Sequence, residues 1–206
     1  MKKRILTAMI ALIIFVPLVI YGGLPFICLI YLMATVGLYE LLRMRTPSQS
    51  KPVVSFSLSF LLLWLLLAPS DSIPLFSYAY TKTDIILFFS FVFLIYTVIS
   101  KNKFSFMDAG FHLISSIYIG FGFHYLMMTR IEGLPYILFA LFIVWATDTG
   151  AYFFGNAFGK RKLWPEISPN KTIEGAVGGT VLAILIAMIF QWVFPFALSF
   201  GTIVLI

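Results

Sequence analysis

Residues 1–42 read MKKRILTAMIALIIFVPLVIYGGLPFICLIYLMATVGLYELL. Met1-Lys2-Lys3-Arg4 is a short basic head, residues 5–21 are a continuous apolar run, Gly22-Gly23 breaks it, and residues 24–42 form a second run. The head and first run imitate a secretory signal. No small-residue cleavage site follows and a second run begins at once, so the first run reads as an uncleaved transmembrane helix. A helix needs about 20 mostly apolar residues to cross the hydrocarbon core. Two such runs joined by two glycines predict a helical hairpin through a bilayer.

The same pattern continues outward. Further apolar runs cover residues 53–68, 85–99, 111–129, 134–154 and 176–194. An eighth begins near Phe196 and stops at Ile206, too short to span. Breakers fall between the runs: Pro69 to Pro74 opens one loop, and Gly133 with Pro135 another. Composition agrees. The 206 residues are 61% hydrophobic and 11% charged, where a soluble domain carries about 25% charged residues. So little polar surface cannot cover a water-facing exterior, whereas lipid accepts it. The expected fold is all-α: a polytopic transmembrane helix bundle of about seven to eight spans. Residues 1–206 form a single integral-membrane domain, with no soluble domain, low-complexity segment or repeat.

Charge sets the expected orientation. The net charge of +6 does not indicate nucleic acid, because the basic residues sit between apolar runs and not in one patch. With the N-terminus inside, the inner segments hold Lys2, Lys3, Arg4, Arg43, Arg45, Lys51, Lys101, Lys103, Lys160, Arg161, Lys162 and Lys171, and the outer ones only Lys82 and Arg130. That asymmetry places the N-terminus and the 155–175 loop in the cytoplasm of a multi-pass cell-membrane protein. The single cysteine, Cys28, lies in an apolar run and reads as a small filler.

Chemistry concentrates around that loop. Asp148 lies in Trp145-Ala-Thr-Asp-Thr-Gly-Ala-Tyr152, near the cytoplasmic end of the sixth run. An intramembrane carboxylate is costly and points to an ion, a proton or a cavity, or else to a structural contact with Thr147, Tyr152 or a lysine. The loop brings Lys160, Arg161, Lys162 and Lys171 for phosphates, although the Lys160–Lys162 run is also an ordinary orientation signal. Ser168-Pro169 reads as an N-cap followed by proline at the first helical position, aiming a helix N-terminus at the site. Glu174 would then lie about one and a half turns into that helix, able to meet Asp148 at an ion or to pair with Lys171. Two carboxylates, cations and a helix start are what metal-assisted phosphoryl chemistry requires. Gly175, Gly179, Ala183 and Ala187 form a small-residue face for close helix packing. His112 and His124, about 18 Å apart on one helix, cannot share an ion. His112, near the cytoplasmic end, could approach the site, but the favoured reading is an interfacial or hydrogen-bonded histidine. Glu40 reads as an interfacial partner of Arg43.

The run Asp148-x-Gly150-Ala151-Tyr152-x-x-Gly155-x-x-x-Gly159-Lys160-x-x-Leu163-x-Pro165-x-Ile167-Ser168-Pro169-x-Lys171-Thr172-x-Glu174-Gly175 resembles bacterial phosphatidate cytidylyltransferase, also called CDP-diacylglycerol synthase. So many fixed positions are far more specific than a lone glycine motif. The resemblance implies a nucleotidyltransferase of phospholipid biosynthesis. It would convert CTP and phosphatidate to CDP-diacylglycerol and pyrophosphate with Mg²⁺, as an all-helical membrane protein surrounded by membrane lipids, in a family that is often homodimeric. It implies catalytic roles for Lys171, Ser168 and Glu174, and substrate contacts from Lys160, Asn170, Thr172 and Tyr152. It also implies metal ligation by Asp148 and Glu174. The family's further stretch, with a Lys-Arg pair, a Lys-Asp pair and a His-Gly-Gly followed by Asp-Arg, carries its principal metal ligands and does not occur within these residues. The expectation is therefore a C-terminally truncated form lacking that catalytic segment. Competing readings are a transporter with a midplane site at Asp148, and an inactive structural protein. A CDP-alcohol phosphotransferase fits less well, because its cluster of aspartates is missing.

Overall fold

The computed structural model describes residues 2–45, 53–70, 72–75, 78–194 and 201. Seven helices occur among them: α1 Lys2–Tyr21, α2 Gly23–Arg45, α3 Val53–Leu67, α4 Lys82–Ile99, α5 Phe106–Glu132, α6 Leu134–Phe158 and α7 Ile173–Val193. Two short antiparallel hairpins interrupt them, β1 Ser72–Leu75 with β2 Tyr78–Thr81, and β3 Lys162–Trp164 with β4 Ser168–Thr172. All seven helices coincide with the seven long apolar runs to within a few residues. α2, α4, α5, α6 and α7 are each long and apolar enough to cross a membrane, while Ala11–Tyr21 and Val53–Leu67 are shorter apolar helices. The chain is therefore a multi-pass membrane protein. Lys51 and, apart from Gly201, the run 196–206 lie outside the described residues. The chain divides into two compact units, Met1–Glu132 and Gly133–Ile206.

The first unit packs through four-residue periodicity. Phe26, Ile30, Ala34, Leu38 and Leu42 make one buried stripe on α2, and Ile85, Phe89, Phe93 and Thr97 make another on α4. Spacing of four keeps a stripe on one helix face, and the opposite faces expose residues such as Phe88, Phe91 and Val98. A water-facing surface would not tolerate so much apolar area, but lipid does. Polar groups inside this unit are satisfied. The Ser59 hydroxyl lies 2.9 Å from Ser55 O and 2.8 Å from His112 Nδ1, within hydrogen-bond distance of both. Ser116 Oγ donates to His112 O. The imidazole is surrounded by the rings of Phe56, Phe93 and Phe104. His124 is likewise buried, with Lys82 Nζ 2.6 Å from its Nε2. Both histidines are thus hydrogen-bonded core residues, as their spacing suggested.

Helix ends are closed by side chains. Thr81 and Asp84 form a capping box at α4. Ser105 and Asp108 exchange the same bonds at α5, with Asp108 Oδ2 accepting from Ser105 N at 3.0 Å and Ser105 Oγ accepting from Asp108 N at 3.2 Å. Arg45, at the end of α2, pairs with Asp108 at 3.1 Å and lies over the Phe111 ring. The expected Glu40–Arg43 pair is corrected here. The ion pair at this end joins Arg45 to Asp108, because the charge at the start of α5 offers a capped, fixed carboxylate. Arg130, near the end of α5, donates from Nε to Val19 O and from Nη2 to Ile20 O. Those are last-turn carbonyls of α1 that have no partner within their own helix. Gly22 follows at φ +70°, and a Cβ there would lie 2.5 Å from Arg130 Nη2.

The second unit is an antiparallel pair. A Cβ added to Gly150 would lie 2.9 Å from Gly179 Cα, and one on Gly175 would lie 3.0 Å from Gly155 Cα. The backbones of α6 and α7 therefore touch, which only small residues allow. Phe139, Phe142, Phe190 and Phe194 pack ring against ring at the other end.

Two substitutions test these contacts. Gly22→Ala forces a left-handed backbone on alanine and collides with Arg130. It should cost about 1–3 kcal/mol, read as a lower thermal unfolding midpoint of the detergent-solubilised protein. Gly179→Leu should separate α6 from α7 and cost about 1–3 kcal/mol or more, with a larger midpoint drop than Ala183→Leu on the same helix.

Candidate functional site

The α6–α7 connection is the polar centre of the second unit. α6 ends at Phe158, and the chain passes through Gly159, Lys160 and Arg161 into β3. β3 pairs with β4 in the register Lys162↔Thr172 and Trp164↔Ser168, with an irregularity between. Ile167 N donates to Trp164 O across the turn. β4 leads into α7, whose N-cap is Thr172. The Thr172 hydroxyl accepts from Gly175 N at 3.1 Å, with an extended backbone at φ −121°, ψ 154°.

This corrects the expected helix start at Ser168-Pro169. Those residues are strand, and α7 begins five residues after Ser168. Serine followed by proline satisfies a cap pattern locally, but the strand pairing with Lys162–Trp164 outweighs it. Thr172 then supplies the cap. Its side chain is buried between Gly155 and Gly159, where a Cβ on either would meet Thr172 Oγ1. Thr172 therefore faces inward and sets the position of the loop rather than presenting a group to a ligand.

Glu174 is consequently the second residue of α7, not one and a half turns along it. Its Oε2 accepts from the backbone N–H of Lys160 at 3.1 Å and of Arg161 at 3.2 Å, and its Oε1 from Arg161 N at 3.3 Å. Ile173 N donates to Arg161 O at 2.9 Å. One carboxylate thus binds two successive amides that have no helix or strand partner. The expected Glu174–Lys171 pair gives way to this clamp.

The clamp leaves the cationic side chains outward. Lys160, Arg161, Lys162, Asn170 and Lys171 are all exposed, and Ser168 is half-buried. Tyr152 is exposed, its ring edge-on to Phe153. Asp148 is exposed on α6, one turn before Tyr152.

The structure does not bring Asp148 and Glu174 together. In the antiparallel pair Gly155 lies against Gly175 and Gly150 against Gly179, so Asp148 is level with Leu182. Eight residues at 1.5 Å each separate Asp148 and Glu174 by about 12 Å along the pair. One ion does not bridge that gap between two side chains. Among the described residues no three His, Cys, Asp or Glu side chains group as a metal site. The clamp itself was missed in the sequence. Its signal was present, since a glutamate two residues after a threonine N-cap, in the first turn of a helix, is suited to unpaired amides.

Comparison with known proteins bears on the same stretch. Residues 2–206 match the Cytidylyltransferase family. The chain is 48% identical over 198 residues to the phosphatidate cytidylyltransferase of Bacillus subtilis (strain 168), covering 94% of this chain and 72% of that protein. It is 46% identical over 207 residues to the phosphatidate cytidylyltransferase of Staphylococcus saprophyticus, covering 100% of this chain and 78% of that protein. Against that of Staphylococcus epidermidis (strain ATCC 35984) the identity is 49% over 191 residues, covering 93% and 72%. With the match running through both units and the hairpin between α6 and α7, the chain belongs to the cytidylyltransferase family.

Proposed function

We propose that this protein transfers a cytidylyl group from CTP to phosphatidate, giving CDP-diacylglycerol and pyrophosphate. The observation that carries the reading is the clamped cationic hairpin. Glu174 fixes the backbone of Lys160 and Arg161, Thr172 caps α7, and Lys160 and Lys171 are left exposed at the mouth of a membrane-spanning helix pair. The names of the relatives supply the two substrates.

In the proposed reaction a phosphate oxygen of phosphatidate attacks the α-phosphorus of CTP. A new P–O bond forms as the bond to the β-phosphate breaks, and pyrophosphate leaves. Charge accumulates on the phosphoryl oxygens, so fixed donors lower the barrier. Lys171 is the residue assigned to hold that charge, with Ser168 and Asn170 beside it on β4 and Lys160 binding the nucleotide phosphates. Tyr152, exposed on α6, is assigned to substrate contact. Thr172 and Glu174 act as positioning residues. Mg²⁺ is assigned to Asp148. Magnesium needs only one or two carboxylates when waters and substrate phosphates complete its shell, and an exposed aspartate without a hydrogen bond among the described residues fits that. Bound there, it would neutralise triphosphate charge.

Several companion assignments belong to the same proposal. All seven helices cross the bilayer, the N-terminus and the 155–175 loop face the cytoplasm where CTP is made, and the protein works among membrane lipids as a homodimer. The two-to-twelve split of basic residues supports the orientation.

Lys171→Ala should lower incorporation of labelled CTP into membrane lipid by about 100-fold, with the amount of inserted protein unchanged; near-normal incorporation would refute the assignment. Asp148→Asn should raise the Mg²⁺ concentration needed for half-maximal rate and weaken Mn²⁺ binding followed by electron paramagnetic resonance. Unchanged metal binding would remove Asp148 from the ion.

A further inference from the structure

The β3–β4 hairpin carries more than phosphate-binding cations. Leu163 is 49% exposed, Trp164 58% and Ile167 74%. No aromatic partner of Trp164 occurs among the described ring contacts. Large apolar side chains at the tip of a polar hairpin are unfavourable in water, at roughly 25 cal/mol per Å² of apolar surface left exposed. Beside them stand Arg161 and Lys162, also exposed and outside the proposed catalytic set. Glu166, in the turn, is the one acid of the hairpin not engaged by the clamp.

Position identifies what meets this surface. β3 and β4 are continuous with α6 and α7, both long and apolar enough to span. The hairpin therefore emerges at a bilayer surface by construction. α6 has 25 residues and α7 has 21, so α6 is about 37 Å long against a hydrocarbon core of about 30 Å. Its end and the hairpin attached to it lie at headgroup level. Tryptophan is favoured there, and lysine and arginine are attracted to anionic lipid within a Debye length.

We propose that the β3–β4 hairpin is a membrane-surface contact, seating Leu163, Trp164 and Ile167 in the interface while Arg161 and Lys162 bind the phosphates of anionic lipid. The occupant is the lipid surface from which α6 and α7 emerge. The contact stands apart from the proposed chemistry, and it would lay the hairpin along the leaflet instead of into the water above it. The Glu174 clamp makes this possible, since it fixes the backbone of the hairpin's base and frees the side chains to face lipid.

The test uses the whole chain reconstituted in vesicles. One variant retains Trp164 as the sole tryptophan, with Trp64, Trp145 and Trp192 changed to Phe. In phosphatidylcholine–phosphatidylglycerol vesicles its emission should shift to the blue of an exposed indole and be quenched by lipids brominated near the carbonyl end of the chain. In pure phosphatidylcholine, or with Arg161→Gln and Lys162→Gln added, that lipid quenching should fall and quenching by aqueous iodide should rise. A second probe guards against misfolding of the tryptophan-poor variant. Cys28→Ser with Ile167→Cys carries an environment-sensitive dye, and its emission should show the same dependence on anionic lipid. Iodide quenching that is strong and equal in both vesicle types would place the hairpin in water and overturn the proposal. Protection from both iodide and brominated lipid would show that protein covers it, and would equally overturn it.

Discussion

Helix ends and loops carry peptide groups that the local backbone cannot pair, and meeting that need shapes the described junctions of the protein. Helices satisfy their own interiors but leave carbonyls and amides open at each end. The chain closes them with side chains: Thr81 and Asp84 at α4, Ser105 and Asp108 at α5, Thr172 at α7, and Arg130 at the end of α1. Glu174 extends the same solution to a loop, taking the two amides of Lys160 and Arg161. Residues that look like candidates for chemistry are in several cases serving this requirement first.

That requirement also explains how the site acquires rigidity. Binding a triphosphate with flexible lysines would spend much of the interaction on ordering them. Here the contact of α6 on α7 at Gly155 and Gly175 fixes where the hairpin starts and ends, and the carboxylate clamp fixes its base. The backbone at the base of the hairpin is therefore fixed while the lysine side chains stay exposed. The small-residue face of α7 is the packing device that sets this position.

The helices were largely legible in the sequence. Apolar runs with glycine and proline breaks located all seven, because burial in lipid leaves a signal of composition that needs no tertiary information. The capping boxes Thr81-x-x-Asp84 and Ser105-x-x-Asp108 were not read from the sequence, although the pattern stands in it. What was not legible depended on partners distant in sequence or on competition between local signals. Ser168-Pro169 resembles a helix start as much as a strand, and only pairing with β3 decides between them. Asp148 and Glu174 seemed to converge because both sit near the same loop, but the register of α6 on α7 sets them about 12 Å apart. The Arg45–Asp108 pair was hidden for a similar reason: its acid lies 63 residues away and is held by its own cap, which local spacing such as Glu40 to Arg43 does not reveal. The family resemblance pointed to the stretch 148–175, while geometry distinguished the side chains left exposed from those that hold the backbone.

The bond from Arg130 to the end of α1 has a bearing on how the protein is made. Its donor lies 110 residues beyond Ile20. At about 5–20 residues per second, the ribosome needs roughly 5–20 s to deliver it. Through that interval the last-turn carbonyls of α1 lack this donor. Completion of the amino-terminal hairpin is thus deferred until the fifth helix has been made.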